Sequence, residues 1–237
     1  MTEQAHHNPS YVQRRAELET YFDRTAVDGW KKLVTDAPVS KIRQTVRAGR
    51  DAMRQSIIDF LPDDLTGWRI LDAGCGSGPL AAALAAKGAD VLGVDLSAEM
   101  ISFAQTRWAD EPMAGRVTFK AGDMLAAEHG TFDAIVAMDS IIHYKRHDME
   151  QTLLGLAQRC TTQMVVTVAP ATPLLSTMWA VGKAFPRGDR SPAIVPVSPT
   201  KLVGSLLANP AMSAWRAGGT KRINSGFYIS HAVEVKR

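Results

Sequence analysis

The spacing of apolar residues divides the chain into a helical beginning and a longer part in which short strands and helices alternate. Residues 11–61 carry apolar side chains at helical spacing, and strand-like segments occur only beyond that point. We therefore expect a helical N-terminal arm over residues 1–61, followed by one α/β domain over residues 62–237.

Short apolar segments that alternate with helical segments predict the core of this domain. The expected strands are Trp68–Leu71, Val91–Val94, Val117–Phe119, Ala134–Met138, Val165–Val168 and a closing strand at Phe227–Val235. Helices are predicted from Pro79 to Lys87, from Ser97 as an N-cap, and from a capping box at Asp148. Apolar strands of this kind indicate a mostly parallel sheet, seven-stranded in our interpretation, with helices on both faces.

The segment at about residues 170–210 interrupts this alternation. It is rich in proline, and Leu174–Phe185 is apolar enough to form a helix. Ser198 followed by Pro199 has the form of an N-cap and a first helical residue, which predicts a helix ending near Leu207. We therefore assign this segment to an insertion within the domain.

Composition and charge are those of an ordinary globular domain. Hydrophobic residues make up 46% of the 237 residues and charged residues 22%, and no apolar run approaches the length of a membrane span. A net charge of +3 without a basic tail argues against a nucleic-acid partner. Because Cys75 and Cys160 provide neither a disulfide framework nor metal-ligand spacing, we expect a cytoplasmic protein without a metal site.

A glycine loop follows the first predicted strand. Asp72 ends this strand, and Gly74, Gly76 and Gly78 occupy alternate positions before the helix that starts at Pro79. Glycines at these positions let the backbone approach a ligand closely. Dinucleotide enzymes place the third glycine one residue later, so the spacing disfavours a nicotinamide dehydrogenase. The spacing of Gly74, Gly76 and Gly78 is instead typical of methyltransferases that bind S-adenosylmethionine (SAM) in a Rossmann-like sheet.

Two further acidic residues strengthen the SAM interpretation. Asp95 ends the second strand, where a carboxylate can accept both ribose hydroxyls, and Asp123 can accept a hydrogen bond from the adenine amino group. Capping of strands and turns is the alternative role for each acid. Cys75 is expected to be a small loop residue and not a nucleophile. The predicted SAM contacts are Arg47, Asp72, Gly74, Cys75, Gly76, Gly78, Asp95, Leu96, Met100, Asp123, Met124 and Met138.

Four arginines share one face of the helical segment between Val39 and Phe60. Arg43, Arg47, Arg50 and Arg54 recur at helical spacing, and we find no acid on that face to offset them. Such a face can bind carboxylates in the bidentate manner, whereas a solvated basic surface is the alternative. Arg47 is also a candidate for binding the carboxylate in the methionyl part of SAM.

The segment after the fourth strand is where a methyl acceptor should lie. His143 in this segment can orient an acceptor, take its proton or meet a metal in the substrate, and a purely structural role is the alternative. Methyl transfer from SAM mainly requires alignment of the acceptor and exclusion of water. In the arm, Tyr21 needs a hydrogen-bond partner if it is buried, whereas Phe22 is expected to pack the arm onto the sheet.

The arm, the acceptor segment and the insertion resemble those of the magnesium-protoporphyrin IX O-methyltransferases. The similar segments are Tyr21–Leu33, Val39–Arg50, Ile142–Tyr144 and Gly182–Pro192. The resemblance extends from about Tyr11 to the C-terminus. It implies the class I SAM-dependent methyltransferase fold, with the arm and the insertion as a lid over the substrate. It further implies methylation of one propionate of magnesium protoporphyrin IX in (bacterio)chlorophyll synthesis, with Tyr21 and His143 acting on the acceptor.

The resemblance also implies contacts beyond the cofactor site. Arg43, Trp179 and Arg187 are the expected substrate contacts, with ordinary packing as the alternative for Trp179. For His143, a role as axial ligand of the substrate's magnesium is a second hypothesis. A transient contact with the porphyrin-binding subunit of magnesium chelatase and a peripheral membrane association are compatible with so hydrophobic a substrate. Two alternatives stay open: another carboxyl or phenol O-methyltransferase, as in quinone synthesis, and a non-catalytic SAM-binding protein.

Overall fold

The computed structural model describes residues 9–23, 41–171 and 193–237. Trp179, Arg187 and the helix expected at Leu174–Phe185 lie outside the described residues. Arg43 belongs to a described helix, but its side chain is not among the described ones. The roles expected for these three substrate contacts therefore stay predictions.

A seven-stranded sheet forms the centre of the described structure. Its strands are β1 Arg69–Ala73, β2 Asp90–Asp95, β3 Arg116–Ala121, β4 Phe132–Ala137, β5 Cys160–Val168, β6 Arg216–Ser225 and β7 Tyr228–Lys236. The spatial order is β3-β2-β1-β4-β5-β7-β6, and β7 alone runs in the direction opposite to that of the other six strands. The predicted mostly parallel sheet of seven strands is confirmed. Because the order reverses between β1 and β4, their carboxyl ends border the crevice where such sheets bind ligands.

Helices cover both faces of the sheet. Among the described residues they are α1 Pro9–Tyr21, α2 Lys41–Ile58, α3 Pro79–Ala86, α4 Ala98–Trp108, α5 Arg146–Ala157 and α6 Pro199–Leu207. Ser97 caps α4 by accepting a hydrogen bond from the Met100 N–H at 3.2 Å, and Ser198 caps α6 in the same way, as predicted. None of these helices is both long and apolar enough to cross a membrane.

Two elements differ from what the hydrophobic pattern predicts. Helix α5 begins at Arg146 with Lys145 as its N-cap, so the capping box expected at Asp148 is wrong. Asp148 instead lies buried in the first turn, where it accepts a hydrogen bond from Ser10 at 2.7 Å. Strand β6 was not predicted because all ten of its residues are exposed or half-buried at the edge of the sheet, which removes the apolar alternation.

Alternate residues of β1 contribute to separate hydrophobic cores. Ile70 belongs to the core that includes Met53 and Ile57 of α2, whereas Leu71 belongs to the core that includes Tyr11 and Leu18 of α1. The two described helices of the predicted arm therefore pack into different cores of the same sheet. This packing places α1 and α2 on either side of the crevice at the sheet edge.

Gly78 gives a test of the packing at the start of α3. It has a left-handed backbone, and a Cβ at this position would approach Phe119 Cζ to 2.4 Å. We expect Gly78→Ala to lower the free energy of unfolding by about 1–3 kcal/mol more than Gly67→Ala, because overpacking adds to backbone strain. Gly67 is the matched control, since its φ of +79° is close to the +80° of Gly78 but no atom lies within 4 Å of its Cβ position. Equal losses in urea denaturation of the two variants would contradict this account.

Candidate functional site

A cavity of about 330 Å³ opens at the carboxyl edge of the sheet, beyond β1, β2 and β4. Its volume is that of a small-molecule pocket. The predicted site residues that line it are Asp72, Gly74, Cys75, Gly76, Asp95, Leu96, Met100, Met124, Met138 and His143. The fold thus brings together the glycine loop, the acid after β2 and the histidine after β4, which are far apart in the sequence.

The three glycines of the loop serve two purposes. All three have positive φ values, between 54° and 81°. At Gly76 a Cβ would meet only Met100 Cε, at 3.8 Å, so the space beside this backbone belongs to the cavity. At Gly74 a Cβ would approach Ser140 Cβ to 2.2 Å, so close packing of the loop also requires glycine. Gly78 does not line the cavity and packs closely against Phe119 at the start of α3, so the cofactor contact expected for it stays a prediction.

Asp72 is a buried carboxyl group with an unused hydrogen-bond acceptor. It is 1% exposed, and its Oδ2 has no hydrogen-bond partner among the described residues. Burial, reinforced by the charge of Asp95, raises the pKa of Asp72 to about 7, although the Ala81 N–H and the Arg54 guanidinium favour the ionised form. A cationic donor would satisfy this acceptor, and the ammonium in the methionyl part of SAM has that chemistry.

Asp95 is held by the backbone around it. Its Oδ2 accepts a hydrogen bond from the Gly76 N–H at 2.8 Å, and its Oδ1 accepts one from the Ser97 N–H at 3.0 Å. Each carboxylate oxygen has further lone-pair capacity, so Asp95 can hold the loop and accept ribose hydroxyls at the same time. Burial also raises the pKa of the neighbouring Cys75 thiol, which supports its interpretation as a loop residue and not a nucleophile.

Asp123 does not line the cavity, although it follows β3 as expected. Its carboxylate accepts a hydrogen bond from the Tyr11 hydroxyl at 2.9 Å and pairs with Arg15 at 2.7 Å, and both partners belong to α1. Its neighbours Gly122 and Met124 line the cavity instead. In this structure the carboxylate therefore binds α1, and the adenine contact expected for Asp123 stays a prediction.

The arginine face of α2 is not the unopposed basic surface that the sequence indicates. Arg50 lines the cavity and lies 3.4 Å from Oδ2 of Asp139, and Arg54 lies 2.7 Å from Oδ1 of Asp51. Two of the four arginines are therefore paired with acids, and one of these acids, Asp139, comes from a distant segment. The expectation that no acid offsets this face is wrong.

Arg47 and Arg54 lie in a groove next to the cavity and not in the cavity itself. Arg54 Nε is buried without a hydrogen-bond partner among the described residues. The Arg54 guanidinium is also close enough to Asp72 to favour its ionised form. Arg54 is therefore a further candidate for binding the methionyl carboxylate, and the contact expected for Arg47 stays a prediction.

The acceptor side of the cavity is formed by the loop after β4 and by α1. His143 is buried, and its carbonyl oxygen accepts a hydrogen bond from Arg14 Nε at 2.9 Å. Phe22 packs against the core as expected and also lines the cavity, with its ring centroid 6.0 Å from that of His143. Tyr21 does not line the cavity, and its half-buried ring contacts Phe22 edge-on at 5.2 Å. The role expected for Tyr21 stays a prediction.

Several residues reach the cavity without having been predicted. Asp139 has a positive φ of +54° and accepts hydrogen bonds from the hydroxyls of Tyr228 at 3.0 Å and Ser230 at 3.1 Å. Phe227 and Ile194 lie at its rim with 73% and 45% of their surface exposed. The position of Asp139 after a buried strand is a signal that could have identified it. Tyr228 and Ser230, with Phe227 just before them, reach the site through the antiparallel strand β7, and Ile194 through a segment that follows β5. Local sequence patterns do not reveal such long-range contacts.

The fold and the site define a class I SAM-dependent methyltransferase. Residues 70–163 match the family model of a methyltransferase domain, and residues 137–237 match that of the magnesium-protoporphyrin IX methyltransferase C-terminus. Within the described residues, no cluster of three or more His, Cys, Asp or Glu side chains is arranged to hold a metal ion.

Similar proteins match over nearly the whole chain. A magnesium-protoporphyrin O-methyltransferase of Rhodobacter capsulatus is 44% identical over 95% of this chain and 98% of its own length. The crystal structure of magnesium protoporphyrin IX methyltransferase from Synechocystis PCC 6803 with bound S-adenosylhomocysteine (SAH) has a TM-score of 0.80 and 26% identity, over 94% of this chain and 99% of that chain. A ubiquinone biosynthesis O-methyltransferase of Methylocella silvestris is 35% identical over only 52% of this chain and 51% of its own length. The chain belongs to the magnesium-protoporphyrin O-methyltransferase family.

The pKa of Asp72 predicts that SAM affinity depends on pH. The SAM ammonium favours ionised Asp72, whose pKa in the free protein is raised to about 7 by burial. Affinity should therefore fall as the pH drops through this value, by up to about tenfold per pH unit, and binding near the pKa should release a proton. Calorimetry in buffers of different ionisation enthalpy measures both effects. Asp72→Asn should remove the pH dependence, and a wild-type affinity that is constant between about pH 6 and about pH 8 would contradict the assignment.

Proposed function

We propose that this chain transfers the methyl group of SAM to a propionate carboxylate of magnesium protoporphyrin IX and so forms the monomethyl ester. The observation that carries the proposal is one cavity in which the glycine loop and acids of a SAM site adjoin His143 and Arg50. The family to which the chain belongs supports the same substrate.

The residues of the cavity, together with Arg54 in the adjacent groove, fit SAM by their chemistry. The unpartnered Oδ2 of Asp72 suits the ammonium group, and the buried Nε of Arg54 suits the methionyl carboxylate. The open space beside Gly76 admits the ligand against the backbone, and Asp95 suits the ribose hydroxyls. Apolar side chains, Met100 among them, provide a wall for the adenine ring.

In the proposed reaction the protein mainly has to align the acceptor with the methyl group, and proton transfer is not required. When bound, SAM supplies an activated methyl group, which a carboxylate oxygen takes as the C–S bond breaks and the sulfur keeps the electron pair. An ionised propionate carries no proton that must be removed, so His143 has to orient the acceptor and not to act as its base. Buried His143 and half-buried Phe22 line the acceptor side and help to keep water away from the reacting atoms.

Two interactions beyond the substrate belong to the same proposal. A transient contact with the porphyrin-binding subunit of magnesium chelatase and a peripheral membrane association both require apolar surface near the entrance. Phe227 and Ile194 provide exposed apolar surface at the cavity rim. Neither interaction is needed for the chemistry.

Activity measurements test the proposal directly. Purified protein, SAM and magnesium protoporphyrin IX should yield a product heavier by one methyl group, with an equal amount of SAH, detected by mass spectrometry. A porphyrin left unchanged while SAM binds would contradict the proposal and favour another acceptor, such as a quinone precursor.

His143 variants test the acceptor side. We expect His143→Gln to lower kcat/KM for the porphyrin by about tenfold to a hundredfold, because a misplaced acceptor loses alignment with the methyl group. The control is His147→Gln, since His147 is exposed four residues away and does not line the cavity. SAH affinity should be unchanged in both variants. Equal activities of the two variants would assign His143 a purely structural role.

A further inference from the structure

Asp139 has an unusual backbone conformation at the acceptor side of the cavity. It follows β4 and has a φ of +54°, in the left-handed region that non-glycine residues rarely adopt. Such a conformation costs of the order of 1–3 kcal/mol and persists only where the surroundings enforce it. The contacts of Asp139 are therefore informative about what this position does.

Three segments of the fold hold the Asp139 carboxyl group in place. Hydroxyl groups of Tyr228 and Ser230 from β7 donate to it at 3.0 Å and 3.1 Å, and that of Thr167 from β5 donates at 3.2 Å. The Asp139 N–H also donates to Thr167 Oγ1, at 2.7 Å. Arg50 Nη1 from α2 is the most distant of these partners, at 3.4 Å. The carboxylate is thus satisfied by neutral donors and does not depend on Arg50 alone.

Close backbone packing fixes the position of Arg50. A Cβ on the preceding residue, Gly49, would approach Tyr228 Cδ1 to 2.6 Å, so α2 lies directly against β7 at this point. One turn earlier, the Ser225 hydroxyl donates to the carbonyl oxygen of Thr45 at 3.1 Å. Arg50 therefore follows directly on the point where α2 contacts β7, and its side chain lies in the cavity wall with 22% of its surface exposed.

We propose that Arg50 binds the carboxylate that receives the methyl group, and that Asp139 is a positioning residue that holds the Arg50 guanidinium at the cavity wall. This inference rests on the proposed function and names the group that recognises the acceptor. A guanidinium has five N–H donors in a planar fork, so it can contact Asp139 and a second carboxylate together. Methylation removes the negative charge of the acceptor, so the ester product loses this ionic contact and the diacid substrate is preferred.

The binding test compares a charged ligand with its uncharged ester. Protein loaded with SAH is titrated with magnesium protoporphyrin IX and with its dimethyl ester, and binding is followed by the porphyrin absorbance. We expect Arg50→Gln to weaken diacid binding by about tenfold or more and to leave ester binding unchanged. Arg50→Lys should lose less affinity for the diacid. Arg116→Gln is the matched control, because Arg116 is an exposed arginine paired with Asp90 away from the cavity.

Each other outcome overturns a defined part of the account. Equal weakening of the diacid and the ester would make Arg50 a shape determinant of the cavity. A loss of SAH affinity in Arg50→Gln would assign Arg50 to the methionyl carboxylate, and unchanged diacid affinity would exclude any carboxylate contact. Failure of the wild-type protein to bind the diacid would instead overturn the proposed function itself.

The role of Asp139 is tested through its dependence on Arg50. Asp139→Asn keeps acceptor capacity for the hydroxyls of Tyr228 and Ser230 but removes the charge that holds Arg50. We expect a loss of diacid affinity of about threefold or more that does not recur when Asp139→Asn is added to Arg50→Gln. A loss that adds fully in the double variant, or that affects the ester equally, would show a structural role without positioning of Arg50.

Discussion

The hydroxyl of Ser140 donates a hydrogen bond to the carbonyl oxygen of Ala73 at 2.7 Å, and this contact joins the two loops that form the cavity. The loops approach so closely that a Cβ at Gly74 would lie 2.2 Å from Ser140 Cβ. Parallel pairing of β1 with β4 makes this possible, because both strands end at the same edge of the sheet. In the proposed reaction the first loop holds SAM and the second faces the acceptor. Their contact therefore sets the separation of the reacting groups, on which the rate depends steeply.

The segments outside the central β1–β5 unit complete the site from both sides. Helix α1 contacts the acceptor loop, since Arg14 binds the carbonyl oxygen of His143 and Tyr11 stacks on Tyr144 with ring centroids 5.2 Å apart. Helix α2 packs on β7 and contributes Arg50. The sheet thus provides the cofactor edge common to the fold class, while α1, α2 and the β6–β7 hairpin provide walls of the same cavity.

From the sequence, more of the cavity lining could be predicted near the glycine loop than near His143 and Arg50, and the reason is physical. A glycine loop and an acid such as Asp95 are constrained by local geometry, namely a strand end and a turn, so spacing alone identifies them. Asp123 fits the same local pattern, but its carboxylate is taken by Tyr11 and Arg15 of α1, a contact across more than a hundred residues. The prediction that no acid offsets the arginine face of α2 was wrong for the same reason, because Asp139, which pairs with Arg50, comes from another segment. Long-range pairing decides the acceptor side, and a single sequence carries little information about it.

The acidic residues of the cavity and the charges of the proposed substrates affect how tightly reactants and products are bound. Burial raises the pKa of both Asp72 and Asp95, so ionised acids in this region are costly until a cation arrives. A cationic cofactor offsets that cost, whereas an anionic acceptor requires a cation of its own. The proposed methyl transfer converts a sulfonium and a carboxylate into a thioether and an ester, which are both uncharged at the reacting centre. Since charge attraction is stronger in a poorly solvated cavity, the reactants are held together by an interaction that the products no longer have.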